Sequence, residues 1–461
     1  MANRVIKLLQ KLREYGLKKK LDLIISYHEE DSHLMRFANS AISLNTNEQL
    51  INLDIQVWDG RKRASYSMIV DPADLNAMKK GIDTAAEMVR HAEPLSYEPT
   101  FPDFKEDVID QCSFNRGLSR LSNAECLAYF NKVAKGLESE DLKLAGIFSN
   151  GITITAQINT HSPYVQYFSS TDANVTAVIS SESLKWEVIA LQSAQKKTDL
   201  KPALLNRELK LLVRYYQKAK PVRLPLGKYK VVFGPAATGD VVNLLGRWVG
   251  TGEAMKRGYS FLTPDMIGTQ VLSPQFSLQD NPNRPETYGL SHDQTGLKRE
   301  PFPIFTDGVF KQFSWAQDEA DEYGEKATGH EVPHYSLEIA AGTMSCPDLK
   351  ALIAMPRDED ILYIPYIHYM NLVNPGKGLL TGSSRFGALL LKKNGRVQVP
   401  YNVRLTQSFY DFFGERVEWM SQERVVHDTS SSYGKRNPEA VLVPRFLCVK
   451  DIEISHSNTS Y

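Results

Sequence analysis

The sequence predicts an α+β protein of two domains, an N-terminal α/β-sheet domain over residues 1–220 and a β-rich C-terminal domain over 221–461. Three observations carry this. A chain of 461 residues exceeds what one hydrophobic core usually organises. Short β-branched and aromatic runs recur beside Asp-Gly and Asn-Gly pairs, between segments of helical period. A proline-punctuated run, KAKPVRLPLGKY at 218–229, separates the halves.

Composition excludes several function classes. Hydrophobic residues at 42% and charged residues at 23% are those of an ordinary globular protein. Lys+Arg and Asp+Glu stand at 54 each, so no net field draws the chain to nucleic acid or an anionic membrane. Aromatics, at 10%, are dispersed and form no stacking platform for single strands. No run reaches membrane-spanning length. Cys112, Cys126, Cys346 and Cys448 show no CxxC pairing, which fits a reducing cytoplasm.

The N-terminal stretch MANRVIKLLQKLREYGLKKK is an amphipathic helix, with Val5, Leu8, Leu9 and Leu12 set to pack on a sheet. Strands are expected over 21–27, 34–44, 50–58 and 61–68, the last two joined at Asp59-Gly60. Asp71-Pro72 reads as an N-cap and first helical position, opening a helix toward His91. Residues 93–107 hold three prolines and read as a linker or surface arm. Ser122 and Glu125 form a capping box that opens a helix to about Gly136. Strands at 142–149, 152–159, 164–171 and 173–180 follow, with Asn150-Gly151 as a hairpin turn. A helix near 200–218 closes the domain.

The second domain opens with a strand at 228–233, the turn GPAATG at 234–239, and a helix from Val241. Val241, Val242, Leu244, Leu245, Trp248 and Val249 would give that helix a broad buried face. Gly234 and Gly239 have phosphate-loop spacing, but Asp240 and Val241 stand where Lys and Ser/Thr are needed. Residues 273–303 form a long polar loop containing Pro274, Pro282, Pro285 and Pro301. Asp307-Gly308 and Asn394-Gly395 are hairpin turns, and further strands are expected over 361–371, 387–392 and 397–403. Ser430, Ser431 and Ser432 lie in a polar loop without a nucleophile-elbow context.

Three blocks carry a resemblance to a known family. They are RFANSAISLNTNEQLINLDIQVWDGRKRASYS, LPLGKYKVVFGPAATGDVVNLLG and TGSSRFGALLLKKNGRVQVPYNVRLTQSFYDFF. The chain resembles the TldD/TldE (PmbA) proteins over nearly its full length, and specifically the TldE side. In TldD-type chains a strand of this kind leads to a helix carrying HExxxH. Placed without gaps, Asn243 and Trp248 fall on the two His positions and Leu244 on the Glu, and 227–262 contains no His. TldD-type chains also supply a late Cys ligand, whereas here no Cys lies between Cys346 and Cys448. The family commonly has an acidic or polar residue where Arg385 stands, so that surface is expected to differ.

Two sequences imitate metal motifs. HEEDSH, 28–33, would place its two His about 140° apart around a helix. It is expected instead as a solvated, acid-rich hairpin turn closing the strand 21–27. HEVPH, 330–334, has Pro333 between its His residues, and an extended segment would hold them about 13 Å apart, too far for one zinc. By resemblance, Thr328-Gly329-His330 is the family's TGN-type turn. His368, His427 and His456 have no local carboxylate spacing.

What the resemblance implies is a non-catalytic TldE-like subunit with no metal of its own. Its partner would be a TldD-like chain that binds zinc and cleaves unfolded or short peptides, or precursors of peptide natural products, in the cytoplasm. Substrate would bind by strand addition. Asn243, Arg247, Trp248, Arg257, His330 and Arg385 are the candidates facing substrate or partner, although a buried structural role is expected for Trp248. Two alternatives stand beside this reading. One is a homodimeric peptide-binding accessory protein. The other is a self-sufficient metallopeptidase using His330 and His334, or His28 and His33.

Overall fold

The structure is a computed structural model that describes residues 2–431 and 434–459, so Ser432 of the serine run lies outside the described residues. Helix α1 (Ala2–Lys18) lays Val5, Leu9 and Leu12 on a sheet and turns its lysines to solvent. Strands β1 (Asp22–Ala38), β2 (Ala41–Asp59) and β3 (Lys62–Ile69) form an antiparallel meander, followed by α2 (Leu75–Arg90). Then come β4 (Val108–Asp110), α3 (Asn123–Ala134), β5 (Leu142–Asn159), β6 (Val165–Ser181), β7 (Glu187–Ala194) and α4 (Pro202–Tyr216). The strands make one seven-stranded sheet, ordered β3-β2-β1-β5-β6-β4, with β7 pairing another stretch of β6. Leu9, Leu23, Ile55, Ile82 and Ile158 build the core beneath α1 and α2.

The remaining chain starts with β8 (Gly227–Phe233) and α5 (Pro235–Leu244). The helix runs into one π-helical turn, Leu245–Val249, and then α6 (Gly252–Lys256). Next are β9 (Leu278–Asp280), β10 (Phe302–Thr306), β11 (Val309–Phe310), α7 (Gln317–Tyr323), β12 (Leu337–Ile339) and α8 (Leu349–Ala354). A β-rich stretch follows with β13 (Ile361–Ile364), β14 (Tyr366–Asn374), β15 (Leu379–Arg385), β16 (Leu389–Leu391), β17 (Val397–Gln398) and β18 (Val403–Ser408). The chain ends with α9 (Phe409–Phe413), β19 (Val417–Met420), β20 (Arg424–Asp428), β21 (Ala440–Pro444) and β22 (Leu447–Ser457).

Two sheets result, a six-stranded one ordered β11-β10-β9-β12-β21-β20 and a nine-stranded one ordered β14-β15-β18-β22-β8-β13-β16-β17, with β19 on β22. Helix α5 belongs to the core between them. Ala237, Val241, Val242, Leu245 and Val249 pack with Phe233 and Ile364 of one sheet and Leu337, Val441 and Val443 of the other. A third core lies where α3 and α4 meet the first sheet, through Phe130, Phe148, Val175 and Leu209. It also takes in Val232, Tyr363, Leu389 and Cys448 from the later chain.

The local signals that hold are those decided within a few residues. The Ser122 capping box is present, and Pro202 occupies the first turn of α4. Asp59-Gly60 turns β2 into β3, with Gly60 at φ 58°. Asp307-Gly308 joins β10 to β11, and Gly395, at φ 83°, completes the turn between β16 and β17.

Four expectations are corrected. Residues 28–33 are the middle of β1, not a turn, and the chain reverses at Asn39 and Ser40, both in left-handed conformation. The chain therefore opens as α-β-β-β-α, with one long strand where two were expected. Asn150-Gly151 likewise lies inside β5, paired to β1 on one side and β6 on the other. The ladder on both flanks outweighs a local turn preference that acts only when the chain is free to reverse. Gly151 is there for space, because a Cβ would sit 2.5 Å from the Asp31 carbonyl oxygen. β6 also replaces two expected strands. Finally, α2 is capped by Asp74, whose Oδ1 accepts from the Ala77 N–H at 2.9 Å, rather than by Asp71.

Candidate functional site

Helix α5 carries Asp240 and Asn243 on one face, and Arg247 follows from the π-helical turn. That face looks away from the core, toward β20, β21 and the segment between them. His427 on β20 donates from Nε2 to Asp240 Oδ1 at 2.9 Å. Arg247 donates from Nη1 to Glu439 Oε2 at 2.9 Å and from Nη2 to the Pro333 carbonyl at 3.0 Å. The close approach of β20 needs Gly239, where a Cβ would stand 2.6 Å from the His427 ring.

Residues 434–439, ahead of β21, reach the first sheet. Arg436 donates from Nε to Asp172 Oδ1 at 2.8 Å, forming an ion pair whose side chains are 11% and 3% exposed. Its backbone N–H reaches Glu30, and Lys435 pairs with Asp54 at 2.7 Å. Glu30 also holds His28, Nε2 to Oε2 at 3.0 Å, so the HEEDSH residues help clamp this segment. Between the sheets lies a polar cavity of about 280 Å³ lined by Asn174, Gln192, Asp240, Tyr366, His427 and Asp428.

The electrostatics of this cavity favour proton exchange near neutrality. Burial disfavours charge on His427, but Asp240 outweighs it by field and hydrogen bond and raises the imidazole above its usual value. Burial pushes the Asp428 carboxyl up to about 6, against a hydrogen bond from Ser430. Burial also raises Glu439, with Arg247 opposing. His427 and Asp428 can thus hold or pass a proton, which suits general acid–base work or the binding of a polar chain.

The donor set does not fit a catalytic zinc. Such a site needs three protein ligands around an open position. Here Asp240 and His427 are spent on each other, and the Arg247 cation lies about two helical turns further on. Among the described residues, no group of three or more His, Cys, Asp or Glu is placed to hold a metal ion.

The residues expected from sequence scatter. Asn243 and Arg247 lie on the site's face. Trp248, expected in the buried stripe, is 60% exposed, because the π-helical turn rotates it out of the core. Arg257 is exposed and pairs with Glu253 at 3.0 Å and Glu322 at 3.4 Å. Arg385 bonds Glu187 at 3.2 Å and the His368 ring at 3.3 Å, lining a different cavity of about 580 Å³. His330, expected to face substrate, is a core residue, bonded to Thr328 at 2.8 Å and beside Asp280 at 3.2 Å. His334 bonds the Tyr288 carbonyl at 2.9 Å, and burial pushes it down to about 4. Asp240 and His427 were missed as partners, since nothing near either in sequence points to the other. The available signal was Asp240 and Asn243 together on one face of the helix.

The geometry agrees with comparisons to known proteins. A family model described as the PmbA/TldA metallopeptidase C-terminal domain matches residues 226–456. TldE from Thermococcus kodakarensis superposes with a TM-score of 0.81 at 16% identity, covering 97% of this chain and 100% of that one. A protein described as a proposed modulator of a DNA gyrase, from Thermotoga maritima, gives 0.78 at 16% identity, covering 97% and 99%. Another so described, from Bacteroides thetaiotaomicron, gives 0.75 at 17%, covering 97% and 98%. At these identities the likeness is one of fold. No curated protein matches the chain.

Proposed function

Since the chain belongs to the PmbA/TldD metallopeptidase family, we propose that it is a TldE-type, non-catalytic subunit of a heterodimeric zinc metallopeptidase acting on unfolded or short peptides. The observation that carries this is the outward face of α5. Where the TldD-type helix is expected to present HExxxH, this stretch presents Asp240, engaged with His427 of β20, and Arg247, engaged with Glu439 just ahead of β21. The pairs hold the helix face rigid and polar without supplying a metal centre.

The rest of the reading follows from what the surface offers. Strand β14 is an edge of the nine-stranded sheet and carries exposed Tyr369 and Val373. An extended peptide added there gains main-chain hydrogen bonds without sequence preference. Exposed Trp248 supplies an aromatic anchor for the TldD-like partner. Free cysteines at all four positions support a reducing compartment, the cytoplasm. No helix among the described residues is long and apolar enough to cross a membrane.

The test is metal content and association, measured on the full chain purified without chelator or a metal-binding tag. Zinc well below one equivalent, together with a stable complex with an HExxxH-bearing chain, supports the proposal. About one tightly held equivalent sinks it. A stable homodimer that retains peptide with no second chain would replace it with the accessory-protein reading.

A further inference from the structure

A second cavity, of about 410 Å³, lies on the other side of His427. Its walls come from β7, α4, the start of α5, α8, β20 and the chain after β21. The size falls in the roughly 300–1,000 Å³ range of small-ligand sites. Leu204, Leu205, Leu349 and Phe446 give it an apolar wall. Its charged lining is balanced, with Lys201, Arg424 and Arg445 against Asp199, Glu208 and Glu286.

Arg424 is spent on Glu338 at 3.2 Å, and Asp199 accepts the Lys196 N–H at 3.1 Å. Lys201 is exposed, so water serves it, and Glu286 is half-buried, as are Glu208 and Arg445. Neither the Arg445 nor the Glu208 side chain makes a hydrogen bond or ion pair among the described residues, and Arg445 Nε is buried with no acceptor. Burial raises the Glu208 carboxyl, and the Arg445 charge only partly offsets this. The Tyr363 hydroxyl also lines the cavity. A buried polar atom without a partner, such as Arg445 Nε, is costly, and in folded proteins such atoms are nearly always satisfied. An opposite pair that share a cavity without touching is what a ligand carrying both charges would complete.

We propose that this cavity binds a small zwitterion, an α-amino acid or dipeptide with an apolar side chain. Its carboxylate meets Arg445, its ammonium meets Glu208, and its side chain lies against Leu205 and Leu349. The site is independent of the metal-free reading of α5. It needs no partner chain, so its test stands or falls separately.

The experiment is isothermal titration calorimetry on the full chain with L-leucine and with L-leucyl-L-leucine. The controls are 4-methylpentanoate, which lacks the ammonium, and isoamylamine, which lacks the carboxylate. The expected result is saturable binding of at least one zwitterion, at least tenfold tighter than either control. Arg445→Gln and Glu208→Gln should each weaken it at least tenfold. If Arg445→Gln does not fold, Glu208→Gln and the two control ligands on the unaltered chain carry the test. No saturable heat with either zwitterion at millimolar concentration overturns the proposal. So does binding that the controls match or that Glu208→Gln leaves unchanged.

Discussion

Asp240 and His427 lie 187 residues apart in sequence and 2.9 Å apart in space, a charge-assisted pair joining helix α5 to strand β20. It holds the one polar face of the central helix against the six-stranded sheet, and its strength depends on pH. His427 has a folded value above the roughly 6.5 of a free imidazole. A raised basic group contributes stability fully below the unfolded value and loses it as pH rises through the folded value. Urea unfolding should therefore show stability falling as pH rises above ~6.5. In Asp240→Asn that part of the slope should vanish.

Asp428 acts in the same direction over a lower window. Its carboxyl is held up to about 6 by burial, above the roughly 3.9 of an unfolded Asp. The folded state thus resists ionisation, and the cost appears as pH climbs from about 4 and is complete above about 6. Asp428→Asn should be more stable than the parent at neutral pH, by about 1–2 kcal/mol once its partial exposure is discounted. At about pH 4 the two should be equal. Denaturant midpoints at the two pH values check this.

Gly239→Ala tests how tightly β20 is docked. Alanine favours a helix over glycine by about 1 kcal/mol. Here its Cβ would stand 2.6 Å from the His427 ring and 3.1 Å from Val441. Overpacking of about 1–3 kcal/mol should win. The displaced imidazole should titrate lower, which NMR of the His427 ring would record. A stabilised protein with an unmoved titration would refute the packing argument.

Arg436→Ala should be among the most damaging single changes outside the apolar core. Removing one partner of a buried ion pair leaves Asp172 uncompensated, at a cost of about 3–5 kcal/mol. Residues 434–439 would come away from the first sheet, and calorimetry should show its melting separate from that of the later chain. A loss below about 1 kcal/mol would mean that the segment is not a clamp.

Trp248→Ala separates association from folding. The side chain is 60% exposed, so the stability of the isolated chain should change by no more than about 0.5 kcal/mol. If Trp248 anchors the HExxxH-bearing partner, the complex should weaken by about 2 kcal/mol or more, read by titration calorimetry. A weakened fold with unchanged association would return Trp248 to a structural role.

What was legible in the sequence follows the range of the forces involved. The Ser122 capping box and the Asp-Gly turns depend on neighbours within four residues, and they formed as read. The GKYKVVF strand was equally plain, but the helix after it begins at Pro235 and takes in most of the GPAATG stretch expected as a turn, since a proline suits the first helical turn and this run is buried. Asn150-Gly151 and HEEDSH misled because a local turn preference, strong as it is for Asn-Gly, acts only where the chain is free to reverse. Both stretches are flanked by partner strands that supply ladder bonds along their whole length. Trp248 misled because one π-helical turn shifts the helical phase, and periodicity assumes a constant step.

The sequence alone determined the α+β class, the apolar central helix without histidine, and the resemblance that led to the family. These rest on patterns that repeat or sit side by side along the chain. The tertiary structure alone decided that Asp240 meets His427 and that Arg436 meets Asp172. It also buried His330 and His334 in the core, and it left Arg445 and Glu208 facing one cavity unpaired. Each depends on residues brought together by sheet pairing and core burial. A lone charge or imidazole carries no mark in sequence of the partner that the fold will set beside it.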